Sequence, residues 1–185
     1  MNDSQYCSLL NLCIQNKQEI SGTMNIKNTS EGMIVSEIKL DDNSMVSSSN
    51  NKHITFNTKE YLTKMVYEIM YSDVNIYVRF HTHPGKMSAC KLSLTDLKNL
   101  KANQEMALRV SKLKSRENII VSECIITKDE VAFYYYDVIS GLIKRVPLYV
   151  DGKEKIPISE KVEGKSLFQI IKGGIKEGFS EARKR

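Results

Sequence analysis

Residues 80–97 read Phe80-His81-Thr82-His83-Pro84-Gly85-Lys86-Met87-Ser88-Ala89-Cys90-Lys91-Leu92-Ser93-Leu94-Thr95-Asp96-Leu97 and join a strand signal to a helix signal through a proline turn. Upstream, residues 74–79 are rich in β-branched and aromatic side chains, the composition of a strand. Side chains two apart on a strand share a face, so His81 and His83 can reach one metal ion together. Pro84 cannot donate to a ladder and Gly85 lets the chain turn. Ser93-Leu94-Thr95-Asp96 then starts a helix that brings a carboxylate back beside the imidazoles. Two imidazoles, one carboxylate and an open position for water describe a catalytic zinc site, since structural sites are usually closed by four protein ligands. Asp96 is also favoured where it stands by the helix dipole, with or without a metal.

His81-Thr82-His83-Pro84 followed by Leu92-Ser93-Leu94-Thr95-Asp96 resembles the signature of the JAMM (MPN+, or JAB) zinc metalloprotease family. Upstream, Glu19-Ile20-Ser21-Gly22 matches the Glu-x-x-Gly of that family's early strand. The resemblance implies zinc held by His81, His83 and Asp96, Glu19 as general acid/base and Ser93 as a donor to the oxyanion. It also implies an α/β (α+β) fold: a single MPN/JAB-like domain with a mixed central β-sheet flanked by helices, similar to cytidine deaminases. The implied reaction is hydrolysis of a peptide or isopeptide bond at the C-terminal tail of a ubiquitin-like protein, as in prokaryotic-type deubiquitinase-like isopeptidases, with a possible partner from a conjugation system. The chain departs from the pattern in one respect. Twelve residues separate His83 from Asp96, two more than the family usually has. The lengthened loop leaves open a silent scaffold of the same fold.

The structural readings of the same residues are complete in themselves. Glu19 reads as a surface carboxylate at a strand start. Ser93 reads as a helix cap, its hydroxyl meeting the amide three residues on. Cys90 reads either as an ordinary loop or core cysteine or as an inhibitory fourth zinc ligand.

A chain of 185 residues that is 41% hydrophobic can bury one substantial core. We expect one domain over residues 1–150 and a basic extension over 151–185. From Gly152 onward there are nine Lys or Arg against five Asp or Glu, which accounts for four of the five net positive charges. Such a tail reads first as a solvated face and secondarily as a contact for an acidic partner or nucleic acid, the warrant for a DNA-repair-associated alternative. No run of eighteen apolar residues and no secretory leader pattern is present, so a soluble cytoplasmic protein without membrane contact is the expectation. Cys7, Cys13, Cys90 and Cys124 form no Cys-x-x-Cys pair and read as reduced thiols.

Taken in order, residues 3–17 place Tyr6, Leu9, Leu10, Cys13 and Ile14 on one helical stripe, capped by Asp3 or Ser4. Residues 19–26 and 32–40 read as a hairpin. Residues 41–52 are too polar to pack and read as a surface loop, with a non-catalytic His53 just beyond and a short edge strand at 54–56. Residues 58–71 repeat Tyr61, Leu62, Met65, Val66, Ile69 and Met70 at helical spacing. The helix begun at Ser93 should end near Lys112. Residues 119–127 and 130–137 read as two central strands, residues 142–149 as a third, and residues 166–171 as a short helix before a tail. Tyr134, Tyr135 and Tyr136 read as cross-strand packing, with one of them able to border a groove.

Overall fold

A computed structural model describes residues 1–29, 32–42, 46–49, 54–56, 58–71, 76–85, 90–113 and 119–158. The readings placed on His53, on residues 166–171 and on the tail lie outside these residues. The chain is mixed α/β. Its main sheet is built from β1 (Ser21–Thr29), β2 (Gly32–Leu40), β5 (Ile76–Thr82), β6 (Ile120–Ile126), β7 (Val131–Asp137) and β8 (Leu142–Val146), in the order β2-β1-β5-β6-β7-β8. Every neighbouring pair is antiparallel except β5 and β6, which run parallel at the centre. A parallel pair needs a long crossover, and here helix α3 (Leu94–Leu113) supplies it. The two other helices among the described residues are α1 (Asp3–Gln15) and α2 (Thr58–Tyr71).

Alternation along the central strands divides the core into two layers. On one face Met24, Val78, Phe80, Cys124, Ile126, Val131 and Phe133 pack against Tyr6, Leu9 and Cys13 of α1. On the other, Tyr77 and Val121 pack with Met65 and Ile69 of α2 and Leu100 and Ala107 of α3. The sheet is thus covered on both sides, and β5 is buried along nearly its whole length. Among the described residues no helix is long and apolar enough to cross a membrane.

The opening helix departs from its sequence reading in two ways. Its cap is Asn2, whose side chain accepts from the Gln5 amide while the Gln5 side chain accepts from the Asn2 amide, rather than Asp3 or Ser4. Ile14 is 62% exposed, whereas Leu12 joins the apolar cluster. The last turn directs Cys13 and Leu12 to the cluster and leaves Ile14 on the solvent side.

Residues 41–52 are not all loop. Val46–Ser49 form β3, which pairs antiparallel with β4 (Ile54–Phe56) in a separate two-stranded ribbon. Pairing satisfies backbone groups even where side chains give little to bury. Beyond β8, residues 149–150 form β9 (Tyr149–Val150), which pairs with β10 (Lys153–Glu154) rather than extending the main sheet. The turn between them docks on the first residues of the chain, since Asp151 accepts from the Asp3 amide and donates its own amide to the Met1 carbonyl. Val150 is buried in the α1 layer.

Gly22 shows why one short motif takes its form. It lies between Leu40 on β2 and Phe80 on β5. A Cβ there would fall onto the Lys39 carbonyl oxygen and within 2.6 Å of the Phe80 ring. Close backbone approach, rather than a turn, requires glycine at this position.

Candidate metal centre

The C-terminal end of β5 meets the N-terminus of α3 on the α2/α3 face of the sheet. Ser21, register partner of His81 on β1, is buried beside it. Pairing continues past the strand ends: the Thr82 amide donates to the Ile20 carbonyl at 2.9 Å, and the Ile20 amide donates to the Thr82 hydroxyl at 3.0 Å. The His83 amide donates to the Ile126 carbonyl at 2.8 Å, which ties the second imidazole to the adjacent strand. The His-x-His segment is therefore held from both sides by backbone.

His81, His83 and Asp96 each offer a ligand atom, and these atoms lie within 4.8 Å of one another. The two Nε2 atoms face each other at 2.9 Å, and Asp96 Oδ1 lies 3.6 Å from His81 Nε2. Tetrahedral coordination with bonds of about 2.0–2.1 Å has donor–donor edges of about 3.3 Å, and the two separations fall on either side of that value. Two imidazoles and a carboxylate are donors that borderline divalent metals accept. The group could hold such an ion.

Asp96 divides its carboxylate between two tasks. Oδ2 accepts from the Ser93 amide at 2.7 Å while the Ser93 hydroxyl accepts from the Asp96 amide at 3.2 Å, a reciprocal cap on α3. Oδ1 remains free to face the imidazoles. The helix start thereby fixes the third donor, and Ser93, which is exposed, keeps its own hydroxyl proton for another acceptor.

Glu19 is only 6% exposed, against the surface reading of its carboxylate. Continuing the register of Ile20 with Thr82 sets it opposite His83, on the face that carries His81. Its charge acts on His81. Burial opposes the charged form of that imidazole most strongly, but a hydrogen bond to Glu123 and the charges of Glu123, Asp96 and Glu19 outweigh it and raise the pKa above the ordinary histidine value. His83 goes the other way: burial and then the charge of His81 push it down to about 4.

Cys90 does not approach the ion-binding group. Its thiol donates towards the Ile125 and Glu130 carbonyls at 3.1 and 3.2 Å, and the residue is buried with Ile125 and Ala132. Its amide donates to Glu130 at 2.7 Å, and its carbonyl accepts from the Tyr134 hydroxyl at 2.6 Å. Burial, followed by the charge of Glu130, pushes the thiol up to about 12. The reading of Cys90 as a fourth ligand is corrected to that of a core anchor, and Tyr134 is engaged in holding it.

Two partners of the site were not among the sequence candidates. Glu123 on β6 places Oε1 2.8 Å from His81 Nδ1. Arg79, two residues before His81, is 2% exposed and bonds Asp41 at 2.8 Å, with its guanidinium 4.2 Å over the Tyr61 ring. The signal for both was a charged residue inside a strand otherwise fit for burial, since such charges are rarely buried without a partner.

No protein-family model matches this chain, and no curated protein matches it.

Proposed function

We propose that the chain is a zinc-dependent peptidase of the JAMM/MPN+ kind that hydrolyses a peptide or isopeptide bond at the C-terminal tail of a ubiquitin-like protein. The convergence of His81, His83 and Asp96 at the end of a buried strand carries the reading, and the burial of Glu19 on the same face supports it. The MPN/JAB fold itself is part of this proposal. The two-sided sheet with a parallel central pair is compatible with it.

When bound, zinc supplies a Lewis acid that makes water nucleophilic near neutral pH and polarises a carbonyl. His81 and His83 present their Nε2 atoms and Asp96 its Oδ1. Glu19 takes the proton of the attacking water and passes it to the leaving amine. Ser93 accepts the Asp96 amide hydrogen through its oxygen, so its own O–H can donate to the oxyanion; a donor of this kind is worth about 3 kcal/mol of barrier. The exposed Leu94 beside it, at 76%, gives an extended substrate tail an apolar contact.

The test pairs metal analysis with cleavage. Wild-type protein should bind one zinc ion and cleave a ubiquitin-like fusion at its C-terminal tail. Glu19→Gln should keep the zinc and lose cleavage, and His83→Ala should lose both. Wild-type protein that holds zinc but leaves every such fusion intact would favour the silent scaffold, and protein that takes up no divalent metal would end the proposal.

A further inference from the structure

The contact between Glu123 and His81 assigns a role to a residue outside the ligand set. We propose that Glu123 is a positioning residue that holds the hydrogen of His81 on Nδ1 and so dedicates Nε2 to the metal. The inference rests on the metal reading of His81, His83 and Asp96.

Glu123 Oε1 lies 2.8 Å from Nδ1, and a carboxylate oxygen can only accept. The hydrogen of a neutral His81 therefore sits on Nδ1, and the lone pair sits on Nε2. That nitrogen faces His83 Nε2 at 2.9 Å and Asp96 Oδ1 at 3.6 Å. The opposite tautomer would set an Nδ1 lone pair against the carboxylate and point an N–H at the place where a cation belongs. Carboxylate partners of ligating histidines orient the ring and raise its basicity, and their loss commonly costs 10–100-fold, to order of magnitude, in metal affinity.

Glu123 is itself held in place. It stands in β6 directly beside Arg79 of β5 and Tyr134 of β7. Those neighbours are fixed, Arg79 by Asp41 and the Tyr61 ring, Tyr134 by the Cys90 carbonyl. The side chain is 15% exposed, so little water competes for its oxygens. Asp96 cannot substitute for it, since Asp96 reaches His81 at Nε2 and spends its other oxygen on the α3 cap.

The experiment uses the full chain loaded with zinc or cobalt, and it includes readouts that do not require turnover. Histidine nitrogen spectra of the zinc-loaded wild type should show His81 with a protonated Nδ1 and a coordinated Nε2. Competition with a chelator should give Glu123→Leu a zinc Kd roughly 10–100-fold weaker than wild type. Glu123→Gln, whose amide oxygen can still accept from Nδ1, should recover most of that loss. The absorption bands of the cobalt protein should broaden or shift in Glu123→Leu and return towards wild type in Glu123→Gln. A His81 bound through Nδ1 overturns the proposal, as does a folded Glu123→Leu whose zinc affinity is within twofold of wild type. Should Glu123→Leu fail to fold, the wild-type nitrogen spectrum decides: a protonated Nδ1 with a coordinated Nε2 supports the proposal, and coordination through Nδ1 overturns it. Zinc binding that depends on Glu123 without cleavage of any ubiquitin-like fusion would sink the peptidase reading and leave this one standing.

Discussion

Replacing Asp41 with alanine tests whether the buried polar network behind the metal centre holds this face of the sheet together. The Asp41 side chain is fully buried, and Arg79 is 3% exposed at 2.8 Å from it. Oδ2 also accepts from the Ser21 hydroxyl at 2.7 Å, and Lys64 approaches Oδ1 at 3.5 Å with 31% of its side chain exposed. Removing one member of a buried pair typically costs about 3–5 kcal/mol, because the remaining charge stays desolvated. The Ser21 bond adds about 1 kcal/mol, and the Lys64 contact adds little because water screens it. We expect Asp41→Ala to lose about 4–6 kcal/mol, which for a chain of this size lowers Tm by about 8–24 °C at roughly 2–4 °C per kcal/mol. Urea titration of the metal-free protein followed by circular dichroism measures the loss. The double variant Asp41→Ala with Arg79→Met should recover part of it, because the buried guanidinium that lost the Asp41 carboxylate is then replaced by an apolar side chain. A loss under about 1 kcal/mol, or a double variant no better than Asp41→Ala alone, would refute the reasoning.

Gly22→Ala should cost about 1–3 kcal/mol, the range for forcing an extra methyl into a packed site, since its Cβ meets the Lys39 carbonyl and the Phe80 ring; a variant with an unchanged urea midpoint would show that the strands can separate freely there. Of the four thiols only Cys7 is exposed, so Ellman's reagent should titrate one group quickly in the native protein and four in denaturant; rapid native modification of Cys90, whose thiol burial and the Glu130 charge push up to about 12, would contradict its placement. Zinc affinity should fall as pH is lowered, and the fall should begin above the ordinary imidazole range. The raised pKa of His81 makes protons compete there first, whereas His83, held down to about 4 by burial and the charge of His81, stays available. An affinity that is flat between pH 8 and pH 6 would speak against this order.

Residues 80–97 expose much of the candidate centre to a sequence reader because its logic is local. The parity of a strand sets His81 beside His83, and the spacing of a helix cap sets Asp96 three residues after Ser93. Helix α2 was legible for a similar reason, since apolar repeats at three and four residues over a long segment have few other readings, and α3 was legible from its start at Ser93. The end of α1 was not, because Ile14 satisfies the period yet stays exposed while Leu12, off the expected stripe, joins the cluster. Glu123 was hidden for a deeper reason. It reaches His81 only through the parallel pairing of β5 with β6, which matches Arg79 to Glu123 and His81 to Ile125 across the α3 crossover. No local pattern encodes that register. What the sequence does carry is the cost of a carboxylate inside Ile120–Ile126 and of a guanidinium inside Ile76–Thr82. Two opposite charges in adjacent buried strands require partners, and Glu123 finds one in the histidine two residues along β5 from Arg79, the polar group through which it could serve a metal. Buried charge in a central strand is therefore the sequence signal that would have pointed beyond the ligands to the side chains that aim them.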